Sequence, residues 1–323
     1  MNAVFSSLRS KLFLLSLSAH VLSVGIVSAQ VPNVELSSSQ ARIARDLEVI
    51  RIGEQQHFPP ARQAALWEEL ASQYEIGTDF LKAEDAYLRA LHLLKTTPSA
   101  RAEYAFTLDN LSSLYIIYRR LDDAESARKQ AIKVRQKLGN RVETGQSEVH
   151  LADIALMRRQ YDKAERLALQ ALQMMESSSN PPRAGILSAF IALAFARCSR
   201  GDCGEGLMNA NQAVAFANRN FESESAASGF ALESLGFAEW KSGASQDAGR
   251  TLLQALQILR TRLSATDPRL AGAMSQYRSY LIEAHRPAEA QEIEKQLTRI
   301  TSQAGVYCQA CTVSVGSLSS TLR

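Results

Sequence analysis

The chain has 323 residues, 46% of them apolar and 21% charged, with a formal net charge of +3. That balance suits a folded globular chain and excludes a disordered one. It also argues against nucleic acid as a partner, because phosphate binding needs a strong basic excess on one face.

Residues 1–29 carry Arg9 and Lys11 and no acid, then an apolar run from Leu12 to Val27, then Val27-Ser28-Ala29. This charged, apolar, small-residue order predicts a secretory signal cleaved after Ala29, and hence an exported protein, periplasmic or secreted. The alternative is an uncleaved membrane anchor over residues 12–29. The run is short for a span and is interrupted by Ser16, Ser18, His20 and Ser23. A linker and one amphipathic helix follow in residues 30–60. Ile43, Leu47 and Ile50 fall on one face of a helix over 38–56, which His57-Phe58-Pro59-Pro60 ends. Such a helix caps the apolar side of a stack, or is the remnant of half a repeat.

Residues 61–304 are repetitive. Pairs of small residues seven apart recur at Ala83/Ala90, Ala124/Ala131, Ala164/Ala171, Gly206/Ala213 and Ala248/Ala255, and Ala290/Leu297 closes the series. The second members lie 41, 40, 42, 42 and 42 residues apart. Thirteen residues before each first member stands a large–small pair: Leu70-Ala71, Leu111-Ser112, Leu151-Ala152, Leu193-Ala194, Leu235-Gly236 and the degenerate Tyr277-Arg278. The large residue fills space between helices, and the small one lets the next backbone approach. Turn residues fall between the periodic segments, at Pro98, Gly139-Asn140, Pro181-Pro182 and Asp267-Pro268. Within repeats they fall at Gly77-Thr78-Asp79, Gly201-Asp202 and Ser242-Gly243. Pro287 sits at the start of a helix, where its missing N–H costs nothing.

In the first repeat Trp67, Leu70, Ala71, Tyr74, Ala83, Tyr87 and Ala90 stand at the spacing of the tetratricopeptide family, and later copies keep Tyr115, Leu121 and Tyr161. The chain resembles that family over roughly residues 64–300. Its period exceeds the usual 34 residues and is similar to the longer variety of kinesin light chains. The resemblance implies an all-α, right-handed α-solenoid of about six helix–turn–helix repeats. It implies a protein or peptide partner held on the inner face, which the first helix of each pair lines.

Carried over by spacing, that inner face presents Phe106, Ile116 and Ile117 from the second repeat and Val149, Leu156 and Met157 from the third. Ile191, Phe195 and Cys198 follow from the fourth, and Phe230, Phe237 and Trp240 from the fifth. Each of these has a competing reading as packing between helices; as a set they predict an apolar, aromatic-rich groove. Asp109, Asp153 and Glu233 fall beside it. Members of the family that clamp a C-terminal carboxylate use Lys and Asn on the inner helices. The matching positions here hold Glu68, Asp109, Val149, Ile191, Glu233 and Ser275, which speaks against that function.

No catalytic, cofactor or metal site is expected. The five histidines have no metal-ligand spacing, and no phosphate loop or nucleophile elbow is present. The four cysteines form two local pairs, Cys198/Cys203 and Cys308/Cys311. An even count in an exported chain favours disulfides. A Cys198–Cys203 bridge would pin the turn of the fourth repeat if the two Cα atoms come within about 7 Å. Otherwise the two are small apolar core residues. Residues 305–323, rich in Ser, Thr and Val, are expected to form a flexible tail. Its Cys308-Gln-Ala-Cys311 has redox spacing, which leaves a second reading open: a redox- or ligand-responsive regulator.

Overall fold

The computed structural model describes residues 38–77, 79–265 and 267–305. Among them are thirteen α-helices and no strand: α1 (Ser38–Gln55), α2 (Pro60–Ile76), α3 (Phe80–Lys95), α4 (Arg101–Ile117), α5 (Leu121–Leu138), α6 (Arg141–Met157), α7 (Tyr161–Glu176), α8 (Arg183–Arg200), α9 (Cys203–Asn220), α10 (Ala226–Lys241), α11 (Ser245–Arg262), α12 (Pro268–Glu283) and α13 (Pro287–Gly305). None is long and apolar enough to cross a membrane. The signal segment and the Cys308/Cys311 tail lie outside the described residues.

The helices form six antiparallel pairs, α2/α3 to α12/α13, with α1 packed on α2. Successive first helices also touch, α6 on α8 and α8 on α10, which places the first helices along one side of the stack. The repeated small residues sit at the closest approaches. Ala71, Ala83, Ala90, Ala124, Ala131, Ala164 and Ala171 have no exposed surface. A methyl group on Gly236 would lie 2.7 Å from Leu252 Cγ and 3.0 Å from the Leu252 backbone nitrogen.

All six intra-repeat turns use one device, a hydrogen bond from the residue before the second helix to a carbonyl five residues back. It joins Asp79 to Tyr74, Arg120 to Tyr115, Gln160 to Ala155, Asp202 to Arg197, Ala244 to Glu239 and Arg286 to Leu281, at 2.8–2.9 Å. This is the Schellman-type closure of a helix C-terminus, and it needs a left-handed residue. Gly201 and Gly243 supply one at φ 111° and 90°. In the second, third and sixth repeats the same place is held by Arg119, Arg159 and His285, with φ of 56–62°. Those turns carry no glycine, so turn chemistry gave no sign of them in the sequence.

Ion pairs fasten the register of the first repeats. Glu84 pairs with Arg120 at 2.9 Å, Glu125 with Arg158 at 3.1 Å, and Glu165 with Arg197 at 2.8 Å. Each acid follows the repeated alanine of one second helix, and each arginine lies at or near the turn of the next repeat. Burial alone would raise the Glu125 carboxyl's pKa, but hydrogen bonds from Lys129 and Lys163 reverse this and hold it at about 2. Further along the stack the device changes. The hydroxyl of Tyr280 lies over Gly249 and donates to the Ser245 carbonyl at 2.8 Å.

Gly236→Val forces a branched side chain into the α10–α11 contact. It is expected to lower stability by about 2–3 kcal/mol in denaturant titration. Gly204→Ala, where an added methyl group would meet no neighbouring side chain or helix within 4 Å, serves as the matched control and should be neutral or mildly stabilising.

Candidate functional site

The side of the stack lined by first helices carries two apolar zones of different kinds. The first is a row at the helix C-termini, Ile76, Ile117 and Met157, with 63%, 43% and 42% of their surfaces exposed. These three stand at equivalent places in consecutive repeats. The second is a ladder of rings across α8, α10 and α12. Phe195 lies 4.8 Å from Phe237, Phe237 is 6.1 Å from Trp240, and Trp240 is 6.1 Å from Tyr280, the last two edge-to-face. Edge-to-face contact is the favoured arrangement of ring quadrupoles. The chain's own cations already visit two rings of α10: Lys241 Nζ lies 3.6 Å from the Trp240 centroid, and the Arg269 guanidinium 5.6 Å from that of Phe230.

The structure sorts the expected groove residues into three groups. Phe106, Ile117 and Met157 are exposed. Ile116, Leu156, Ile191, Phe230, Phe237 and Trp240 are half-buried, each with one side against the core, and the half-buried Phe195 rests on Phe237. Val149 is a correction: it is 1% exposed and packs with Ala171, Met175, Ile186 and Ala189, because α8 closes over that part of α6. Cys198 is likewise buried, against Ala194, Ala210 and Ala238. Cys198 and Cys203 are free thiols, with Cys203 Sγ 3.5 Å from the Cys198 carbonyl oxygen. Burial pushes the Cys198 thiol far above its ordinary range, with the neighbouring Cys203 adding to the effect. Sequence reasoning missed the exposed Ile76, and it missed that the ring row ends on Tyr280, which is 4% exposed and belongs to the core. Ile76 was visible as the first-repeat counterpart of Ile117, whereas Tyr280 lies in the degenerate sixth repeat. Also missed were two surface clefts away from the groove, one between α3, α4 and α5 and one between α1, α2 and α3; Leu88 and His92 line both.

Three acids occupy one equivalent position on the inner helices, two residues before the large–small pair: Glu68, Asp109 and Glu233. Their environments differ sharply. Glu68 accepts a hydrogen bond from the Thr107 hydroxyl on the next first helix. Burial raises its pKa and that hydrogen bond counters the rise. Asp109 is fully engaged. Arg128 Nη1 lies 2.7 Å from its Oδ1, Arg135 pairs with its Oδ2, and the Ser147 hydroxyl donates to Oδ2 at 3.1 Å. Arg128 is only 2% exposed, so this is a buried charge cluster joining α4, α5 and α6. Among the described residues, none holds Glu233 by a side-chain hydrogen bond or ion pair. Burial alone pushes its carboxyl up to about 8.

A folded-state pKa raised above the unfolded value means that the folded form holds a proton which the unfolded form releases. The cost of burying Glu233 is therefore absent below about pH 4.5 and grows as pH rises toward 8. Glu233→Gln removes a charge whose burial is unfavourable only at the higher pH. Its melting temperature relative to the native chain is expected to rise by several degrees between about pH 5 and pH 8.5. A pH-independent difference in calorimetry would contradict the assignment.

No family model matches the sequence, and no curated protein does. Solved structures do. BtubC (BKLC) from P. vanneervenii is 20% identical, the match covering 69% of this chain and 91% of that one, with TM-score 0.59. A structure of nearly identical TPR-like repeats, described as a kinesin light chain of Podosopora anserina, is 21% identical over 62% of this chain and 96% of that one, with TM-score 0.51. The Rap conjugation gene regulator of the plasmid pLS20, in complex with the Phr* peptide, is 12% identical over 88% of this chain and 81% of that one, with TM-score 0.61. At these identities the likeness defines architecture, and it agrees with the residue pattern: the chain has the fold of the tetratricopeptide-like α-solenoids, kinesin-light-chain-like repeats among them.

Proposed function

We propose that the chain is an exported, non-enzymatic scaffold that holds a protein segment or peptide along the side lined by its first helices. The observation that carries this reading is the row of half-buried rings Phe195–Phe237–Trp240 on the consecutive first helices α8 and α10, which is backed by the buried Tyr280 of α12. In a solenoid, each repeat must bury one apolar face on its neighbours. Half-buried rings left along an open side exceed that need and offer the kind of apolar surface that partners use. The peptide-bound Rap regulator, similar in fold, is consistent with a peptide as occupant. Export rests on the N-terminal pattern of charged, apolar and small residues in positions 1–29.

The test is affinity capture by the tagged full-length chain from its native compartment, with mass spectrometry of what is retained. A control variant, Leu169→Ala, alters an exposed leucine on the second helix α7. Phe237→Ala combined with Trp240→Ala is expected to lose the specific partner, while the control retains it. Retention by a folded double variant would refute the groove. Edman sequencing of the exported protein should begin at Gln30.

A further inference from the structure

The three equivalent acids on the inner helices permit a comparison of the molecule with itself. Asp109 in the second repeat is satisfied by Arg128 and Arg135 from its own second helix and by Ser147 from the next first helix. In the fifth repeat the acid is kept as Glu233, but each partner position has changed. Leu252 stands where Arg128 does, Leu259 where Arg135 does, and Ala273 where Ser147 does. All three replacements are buried and apolar, with exposures of 2%, 0% and 4%. Four basic residues of α10 and of its flanking inner helices are paired elsewhere. Arg197 pairs with Glu165, Arg269 with Asp267, Arg278 with Glu294 and Lys241 with Glu283.

A deep carboxylate with no partner is costly unless a partner arrives. Protein crowds closely around the Glu233 carboxyl, yet the residue keeps partial contact with solvent. That combination is what a group in the wall of a groove shows. Helical spacing puts Phe230, Glu233, Phe237 and Trp240 on one stripe of α10. The acid thus shares one face of α10 with these three rings, two of which, Trp240 and Phe230, already hold the chain's own cations.

We infer that Glu233 is a specificity subsite for a lysine or arginine side chain of the bound peptide, the stem lying along the rings and the cationic head on the carboxylate. This rests on the reading of the inner face as a peptide groove. Phe230, Phe237 and Trp240 select apolar neighbours in the peptide, and Glu233 selects the one basic residue between them. The ligand supplies in the fifth repeat the cation that Arg128 and Arg135 supply in the second.

The chain has two tryptophans, Trp67 and Trp240, so Trp67→Phe leaves Trp240 as the sole fluorescent reporter inside the site. Three pools of short blocked peptides are titrated against this full-length variant at about pH 8.5, where the carboxyl is ionised. Their central residue is lysine, arginine or norleucine, flanked by random apolar positions. Lysine and arginine pools are expected to bind about tenfold or more tighter than the norleucine pool. Glu233→Gln should erase the difference without weakening the norleucine pool. A norleucine pool that binds the native site as tightly, or a basic preference that survives Glu233→Gln, overturns the subsite and leaves the groove standing. If no pool changes Trp240 emission, the groove reading falls and the subsite with it. The norleucine comparison is made on the chain with Glu233 intact, so the result does not depend on how Glu233→Gln folds.

Discussion

The close approach of one helix pair to the next is the constraint on which the rest of this molecule depends. A pair of amphipathic helices cannot bury its apolar face alone, so each repeat is stable only against its neighbours. The approach is set by side-chain size at two rows of positions, Ala83 to Ala290 on the second helices and Ala71 to Gly236 on the first. The absence of exposed surface at Ala83, Ala124, Ala164 and Ala248 is the direct sign of it. Gly236 shows how little room remains, because even a methyl group would meet the Leu252 backbone.

Given that approach, something must fix each repeat's rotation and register on the next, and two solutions occur along one chain. In the first repeats, acids beside the small residues reach arginines at the following turn: Glu84 to Arg120, Glu125 to Arg158 and Glu165 to Arg197. Further along, those acid positions hold Leu207 and Gly249, and packing takes over. Tyr280 lies over Gly249, hydrogen-bonds Ser245 and continues the ring ladder toward Trp240. The exchange of charge for aromatic packing gives the two halves of the inner side their different chemistry. One half has a buried charge cluster around Asp109, and there Ile76, Ile117 and Met157 are exposed at the helix ends. The other has the ring ladder and, on the same face of α10, an unpaired acid. The change of device leaves the stacking that holds the repeats together unaltered.

Much of the architecture was legible because it is periodic. The two small-residue rows and the aromatic positions gave the repeat count and the all-helical class, since burial on both neighbours repeats the same demand every 40–42 residues. Turns marked by Gly77, Gly139, Gly201 and Gly243 were legible for the same local reason. Those built on Arg119, Arg159 and His285 were not, because stacking imposes the left-handed conformation there against the residue's own preference. The site was legible only as a list of candidates. Spacing placed Phe106, Phe237 and Trp240 on inner helices, but the same spacing placed Val149 there, and α8 buries it.

By itself, then, the sequence determined which side of each helix faces its neighbours, because helical period and residue size decide that locally. Tertiary structure alone decided which inner side chains remain reachable and which charges find partners, because both depend on atoms brought from other repeats. Asp109 and Glu233 make the point with nearly the same chemistry at the same repeat position. One meets two arginines and a serine; for the other the equivalent positions hold two leucines and an alanine, and its carboxyl is left unpaired.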